Sequence, residues 1–292
     1  MEYWPSMQDF GAILTAMVTP FDAQGRVDEA QAVALMHHLI AHGSDGLVIA
    51  GTTGEGATLD DDEHLDLVDL AVREVGAKTT VIASTGSNDT RHAVHLTERA
   101  TELGAHAMLS VTPYYVRPNR RGIVRHYEEV ARATDRPVIL YNIPSRTATD
   151  MPNDLCAELA QIEHIDAIKQ ARATDLAMID GLTLYAGNDD MVCDVLELGG
   201  AGGICVASHL VGGEMRRMVD EPENRREIDA GLQDVYAAMA VTTNPIPVKT
   251  GLELCGHRVG GVRLPLVDAD PQETAAIRAA LERHGLLQAS VA

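Results

Sequence analysis

Lysine is rare in this chain: Lys78, Lys169 and Lys249 are three residues against twenty arginines. Lys169 directly follows the apolar run Ile165–Ile168, so its amine stands at the end of what reads as a buried strand. Burial disfavours the ammonium form and supplies the neutral amine that can attack a carbonyl and form a Schiff base. The alternative is a lysine that reaches the rim of the fold and pairs with a carboxylate. Tyr141 ends a second apolar run, Pro137–Tyr141. A phenol beside such an amine can relay protons while a carbinolamine forms; a plain amphipathic tyrosine at a strand end is the other reading. Arg146, shortly after, offers a planar fork to a substrate carboxylate, or is a solvated loop arginine.

The segment Gly-Thr-Thr-Gly-Glu-Gly, Gly51–Gly56, is the remaining candidate. Its backbone N–H groups and the hydroxyls of Thr52 and Thr53 can hold a carboxylate without a cationic side chain. The glycine spacing also fits a phosphate loop, but Ala57 stands where that motif needs its lysine, which excludes it. A tight turn that merely requires glycine is the plainer alternative. His92 and His95 have no third ligand nearby and read as solvated helix residues. The cysteines Cys156, Cys193, Cys205 and Cys255 contain no C-x-x-C pair, so reduced thiols are expected and no metal site or disulfide framework.

Chemistry of this kind needs elements that bring distant residues together. Eight short apolar runs qualify as strands: Ala12–Val18, Gly46–Ala50, Thr80–Ala83, Ala107–Val111, Pro137–Tyr141, Ile165–Ile168, Thr183–Ala186 and Gly203–Val206. Amphipathic stretches lie between them, such as Asp28–His42, Asp60–Val75, Asp89–Leu103 and Arg121–Thr134, several opening on an N-capping Asp. Continuous apolar strands alternating with helices predict a parallel sheet buried on both faces, and this many units fit an α/β fold of the (β/α)₈ TIM-barrel type. Catalytic groups of such a barrel sit at the C-terminal ends of its strands, where Lys169, Tyr141 and the Gly51–Gly56 loop all fall. The strand signal stops near residue 220. The reading is a catalytic barrel over residues 1–222 and a helical region over 223–292. In the latter, Glu221–Ala240 and Gln272–His284 are helices, and Pro245, Pro247 and Gly256–Gly261 break the path between them.

Hydrophobic residues make up 46% of the chain and aromatic ones only 3%, so the core must be built from Ala, Val, Ile and Leu. The net charge of −20 argues against nucleic acid or an anionic membrane as partner. It also means that an anionic substrate needs donors concentrated at the site. Met1–Phe10 lacks the basic and apolar segments of a targeting signal, and no apolar run approaches the ~18 residues of a membrane span. A soluble, cytoplasmic enzyme is expected.

Taken in order, G-T-T-G-E, V-T-P-Y-Y (Val111–Tyr115), Y-N-I-P-S-R-T (Tyr141–Thr147), Ile168-Lys169, G-N-D-D (Gly187–Asp190) and N-P-I-P-V-K (Asn244–Lys249) resemble the dihydrodipicolinate synthase / N-acetylneuraminate lyase family. The likeness runs from Thr15–Phe21 to Arg263–Leu266, nearly the full chain, and leans to the synthase branch. It implies condensation of pyruvate with L-aspartate 4-semialdehyde in lysine biosynthesis, through a covalent imine and with no cofactor. It further implies Lys169 as the imine-forming lysine and Tyr141 as proton donor and acceptor. Thr52 would link Tyr141 to Tyr115 of a neighbouring subunit, in a homotetramer built as a dimer of dimers. Thr53 and the Ile204 backbone would bind pyruvate, Gly187 would line the pocket, and Arg146 would receive the aldehyde's carboxylate. Several positions depart from the family pattern: Ala148 where glycine follows S-R-T, Gln170 where glutamate follows the lysine, and Gly56 where serine is common. They leave open a second enzyme reading, another pyruvate-dependent aldolase, lyase or dehydratase acting on a sugar acid or other aldehyde. A non-catalytic keto-acid binder is a third. In family members inhibited by L-lysine, a glutamate meets the effector where this chain has His92, so weak or absent inhibition is expected.

Overall fold

The computed structural model describes residues 10–287. The stretch Met1–Phe10 read for targeting lies outside this range except for Phe10. Eight parallel strands close on themselves in sequence order: β1 (Ile13–Ala16), β2 (Gly46–Ile49), β3 (Thr80–Ser84), β4 (Ala107–Val111), β5 (Val138–Asn142), β6 (Ile165–Gln170), β7 (Thr183–Ala186) and β8 (Gly202–Cys205). All eight expected strands are present. The ring is closed by β1 against β8, with Ile13 opposite Gly203 and Leu14 opposite Ile204.

The outer layer begins with α1 (Glu29–Ala41), α2 (Asp61–Val75), α3 (Thr90–Glu102) and α4 (Arg120–Arg132). Each starts where its sequence supplies a cap. The side chains of Asp28, Asp60, Asp89 and Asn119 accept from the first-turn N–H groups, and Asp60 with Glu63 forms a full capping box. Next come α5 (Pro144–Thr147), α6 (Asn153–Leu159), α7 (Val192–Glu197) and α8 (Ser208–Asp220). The chain ends in α9 (Arg225–Met239), α10 (Ile246–Leu254) and α11 (Pro271–Arg283).

Two expectations need correction. Residues 246–254 form α10 where the prolines suggested only a break: Pro247 sits in the first turn, where the N–H it lacks would have had no intrahelical partner. And α9 starts at Arg225 rather than Glu221, because Glu221 caps the end of α8 and Pro222 cannot continue it.

Strand alternation decides which side chains enter the barrel. Ala16, Val48, Ile82, Leu109, Ile139, Ala167 and Ile204 pack on one another as a separate internal cluster, while alternate strand residues pack against the helices. With a side-chain period of two, Ile139 and Ala167 on the inner face put Tyr141 and Lys169 there as well. The β5–β6 register sets those two directly opposite each other at the C-terminal rim. On the outer side of the same rim Asn142 Nδ2 donates to Gln170 Oε1 at 3.1 Å and to Asp150 Oδ1 at 2.9 Å, tying the two strand ends together. Gln170 Oε1 also accepts from the Arg172 N–H at 3.1 Å, so the oxygen of the amide that stands in place of the family's glutamate takes two hydrogen bonds.

Candidate active site

A cavity of about 520 Å³ opens at this rim, lined by Thr52, Thr53, Tyr141, Arg146, Lys169 and Gly187 together with residues from α9 and the turn after it. Its size suits a small-molecule substrate. Lys169 is only 6% exposed, and no carboxylate lies within ion-pair distance of it among the described residues. The rim-lysine reading therefore fails: the amine is enclosed and makes no ion pair among the described residues. Its Nζ stands 4.3 Å from the centre of the Tyr141 ring, and Tyr141 is itself buried. Amine and phenol thus share one desolvated wall, the arrangement that imine chemistry with proton relay requires.

The Gly51–Gly56 loop forms the facing wall. Glu55 takes a left-handed backbone, φ 55°, and its N–H returns to the Thr52 carbonyl at 3.2 Å. Gly56 is a steric necessity here: a Cβ at this position would lie 2.1 Å from the Ala50 carbonyl oxygen. Thr52 is exposed toward the opening and Thr53 is buried. The Thr53 Oγ1 accepts from Asn244 Nδ2 at 2.9 Å. Across the cavity, Gly187 closes on β6: its N–H donates to the Gln170 carbonyl at 2.7 Å, and an added Cβ would meet Ala171 Cβ at 2.7 Å.

Arg146 rides on α5, which Pro144 opens and Ala148 ends in a left-handed conformation, φ 54°. Its guanidinium is exposed and makes no ion pair among the described residues, which leaves the fork free for an incoming carboxylate. Ala148 adopts the geometry that usually calls for glycine, so the departure from S-R-T-G changes the residue and keeps the turn.

Two proposed site residues do not present their side chains to the cavity. Ile204 is on β8 with its side chain in the internal cluster, which leaves its backbone as the group the resemblance assigns to pyruvate. Tyr115 is 85% exposed and does not line the cavity of its own chain. Three groups were not assigned from sequence. Asp189 accepts from the Val206 and Ala207 N–H groups at 2.8 and 3.1 Å. Burial pushes its carboxyl above the usual carboxylate range, against those donors and the Lys169 charge. The Tyr236 hydroxyl is buried at the cavity without a partner, and burial pushes that phenol up. Asn244 is the third. Asp189 and Asn244 stand inside motifs that the sequence does display, but Tyr236 lies on α9 with nothing local to mark it.

Beside this cavity lies a second, of about 420 Å³, lined by Gly56, Asp61, His64, Ser87, His92 and Tyr114 among others. His92 is not a free solvated residue: Nε2 meets Asp61 Oδ1 at 2.9 Å and Nδ1 meets Ser87 Oγ at 3.1 Å. His95 is exposed, as expected. Among the described residues no group of three or more His, Cys, Asp or Glu is placed to hold a metal ion, and no helix is long and apolar enough to cross a membrane.

Residues 9–284 match the model of the dihydrodipicolinate synthetase family. The chain is similar to a 4-hydroxy-tetrahydrodipicolinate synthase of Desulforudis audaxviator, 41% identical over 291 residues, covering 96% of this chain and 99% of the relative. Among solved structures it resembles a lysine-bound synthase from Cyanidioschyzon merolae, with a TM-score of 0.92 and 38% identity over 95% of this chain and 99% of that one. It also resembles a pyruvate-complexed dihydrodipicolinate synthase from Acinetobacter baumannii, with a TM-score of 0.91 and 33% identity over 95% and 99%. With an enclosed amine facing a phenol at the barrel mouth and a match over nearly its whole length, the chain belongs to the dihydrodipicolinate synthetase family.

Proposed function

We propose that the chain is a Schiff-base lyase that condenses pyruvate with L-aspartate 4-semialdehyde to 4-hydroxy-tetrahydrodipicolinate. The observation that carries this reading is Lys169, buried without an ion-pair partner among the described residues and 4.3 Å from the Tyr141 ring centre, with Arg146 unpaired in the same cavity. Lys169 attacks the pyruvate carbonyl, and water leaves as the imine forms. Tyr141 shuttles the protons, Thr52 passes them on, and Thr53 with the Ile204 backbone holds the pyruvate carboxylate against the Gly187 wall. Loss of a methyl proton gives the enamine, whose carbon attacks the aldehyde while Arg146 holds that substrate's carboxylate; the amino group of that substrate then adds to the re-formed imine carbon, closing the ring and expelling the Lys169 amine. The imine carbonyl belongs to the substrate, so this sequence of steps calls on no cofactor. The barrel of residues 1–222 carries the reacting groups, and the region 223–292 closes over them. A coupled assay of pyruvate with a panel of aldehydes tests the reading: L-aspartate 4-semialdehyde should be turned over most efficiently, and preference for a sugar-derived aldehyde would transfer the chain to another branch.

Tyr115 acts, on this proposal, in a neighbouring subunit's cavity, within a homotetramer arranged as a dimer of dimers. Support comes from the run Tyr114, Tyr115 and Val116, exposed by 38, 85 and 57%, a contiguous apolar tip outside the chain's own cavity. Mixing inactive Tyr115→Phe and Lys169→Ala subunits should restore part of the activity through hybrid dimers. Confirmed subunit exchange with no recovery would remove Tyr115 from the mechanism.

L-Lysine should inhibit weakly or not at all. The acid at the wall of the second cavity, Asp61, is engaged by His92 at 2.9 Å, and a histidine offers an ammonium ligand no attraction. Titration with L-lysine to millimolar concentration at saturating pyruvate checks this. Cooperative inhibition below a millimolar would mean that Asp61 or another acid replaces the family's glutamate.

A further inference from the structure

The most deeply enclosed ion pair of the described chain has no part in the steps above. Lys249, on α10, and Glu55, in the cavity loop, meet at 2.8 Å with side chains 3 and 1% exposed. Every hydrogen-bonding group of the pair is committed. Lys249 Nζ donates to Glu55 Oε1, to the Thr19 carbonyl at 2.9 Å and to the Gly261 carbonyl at 2.5 Å, which uses the three N–H groups of an ammonium. Glu55 Oε2 accepts from the Arg263 N–H at 2.8 Å. Lys249 Nζ and the Arg263 guanidinium each stand over the Phe21 ring, 4.3 Å from its centre. The loop is also held from beneath, where Thr19 Oγ1 donates to the Gly54 carbonyl at 2.6 Å.

A buried ion pair is poor evidence for stability, because desolvating both charges offsets their attraction. What this one does specify is position. Glu55 immediately follows Thr53-Gly54 and holds a left-handed backbone, so fixing its carboxylate at two points fixes where Thr52 and Thr53 present their hydroxyls. The chain then adds a direction. Asn244, at the start of the same segment, offers an N–H to Thr53 Oγ1 and can only donate there. The Thr53 hydroxyl proton is thereby left to donate elsewhere, and it finds no acceptor among the described residues. The open side is the cavity.

We propose that Glu55, Lys249 and Asn244 are positioning residues that tie the cavity loop to α10 and the turn before it and act through Thr53, aiming its hydroxyl proton at the carboxylate of bound pyruvate. The proposal rests on the Schiff-base reading, since it needs pyruvate in this cavity.

The test reads the pyruvate concentration that gives half-maximal borohydride trapping, beside the KM for the aldehyde and the Tm. Removing one charge alone leaves the other buried and endangers folding, so the pair is neutralised together as Glu55→Gln/Lys249→Met, with Asn244→Ala as an independent second variant. Both should raise half-saturating pyruvate about tenfold, the size expected for loss of one charge-assisted hydrogen bond, while the trapping amplitude and the KM for the aldehyde stay within about twofold. A merely structural role would lower Tm and amplitude together and leave half-saturation in place. Unchanged half-saturation in Asn244→Ala, or in a folded double variant, overturns the assignment. If the wild-type chain takes up no label, the Schiff-base reading falls, and the positioning role falls with it.

Discussion

Borohydride reduction in the presence of pyruvate is expected to add one pyruvate-derived mass to the peptide carrying Lys169, and Lys169→Arg to remove both the adduct and turnover. Three lysines compete for the label, and their surroundings separate them. Lys78 is exposed and precedes β3, at the N-terminal end of the barrel and so opposite the cavity. Lys249 has all three N–H groups engaged by Glu55 and two backbone carbonyls. Lys169 alone is both enclosed and without a hydrogen-bonding partner in the described structure, its nearest aromatic neighbour being Tyr141. An arginine would keep its charge at any working pH and cannot supply a nucleophilic amine. The loss should be at least ~10³-fold, in the range found when an enzyme loses its nucleophile. Mass spectrometry of the reduced, digested protein decides it; label on Lys78 or Lys249 would discard the assignment.

Arg146→Ala should raise the KM for the aldehyde far more than half-saturating pyruvate. The guanidinium is exposed at the cavity edge with no carboxylate of its own, so a substrate carboxylate would bind without displacing an internal partner. Loss of a charge-assisted contact costs about 1.5–3 kcal/mol, or roughly 10–150-fold in affinity. Arg146→Lys should recover only part of this, because an ammonium cannot reproduce the two-pronged geometry. Separate titrations of the two substrates give the answer. An effect confined to pyruvate would move Arg146 to the other carboxylate.

The barrel was legible because each strand is an uninterrupted apolar run and each early helix carries its own cap. Lys169 and Tyr141 were legible for a related reason: residues that end buried strands can only stand at the rim. What escaped depended on contacts between distant segments. Pro247 looked like a breaker because a proline's effect depends on its place within a helix, and nothing in the run Asn244–Lys249 marks the first turn. Asn244 and Lys249 meet Thr53 and Glu55 across 191 and 194 positions of sequence. Asp189 was visible as one of two adjacent acids, but only the fold shows which carboxylate turns inward to the Val206 and Ala207 N–H groups. Tyr115 was placed by resemblance together with the Tyr114-Tyr115 pair after Pro113, and the chain by itself leaves it outside the cavity.

Closing the ring through β1 and β8 has a consequence for the order in which the chain is made. Leu14 finds its partner Ile204 only after nearly the whole barrel has been synthesised, and the Glu55 carboxylate meets Lys249 later still. During translation the first strand must wait with one edge unpaired, exposed to the mispairing that threatens slow, non-local folds. The growing chain therefore reaches a sealed sheet before its pocket loop is anchored. A ribosome-stalled chain whose α8 has just cleared the exit tunnel can hold a closed barrel, and it acquires a set Thr53 only when α10 emerges.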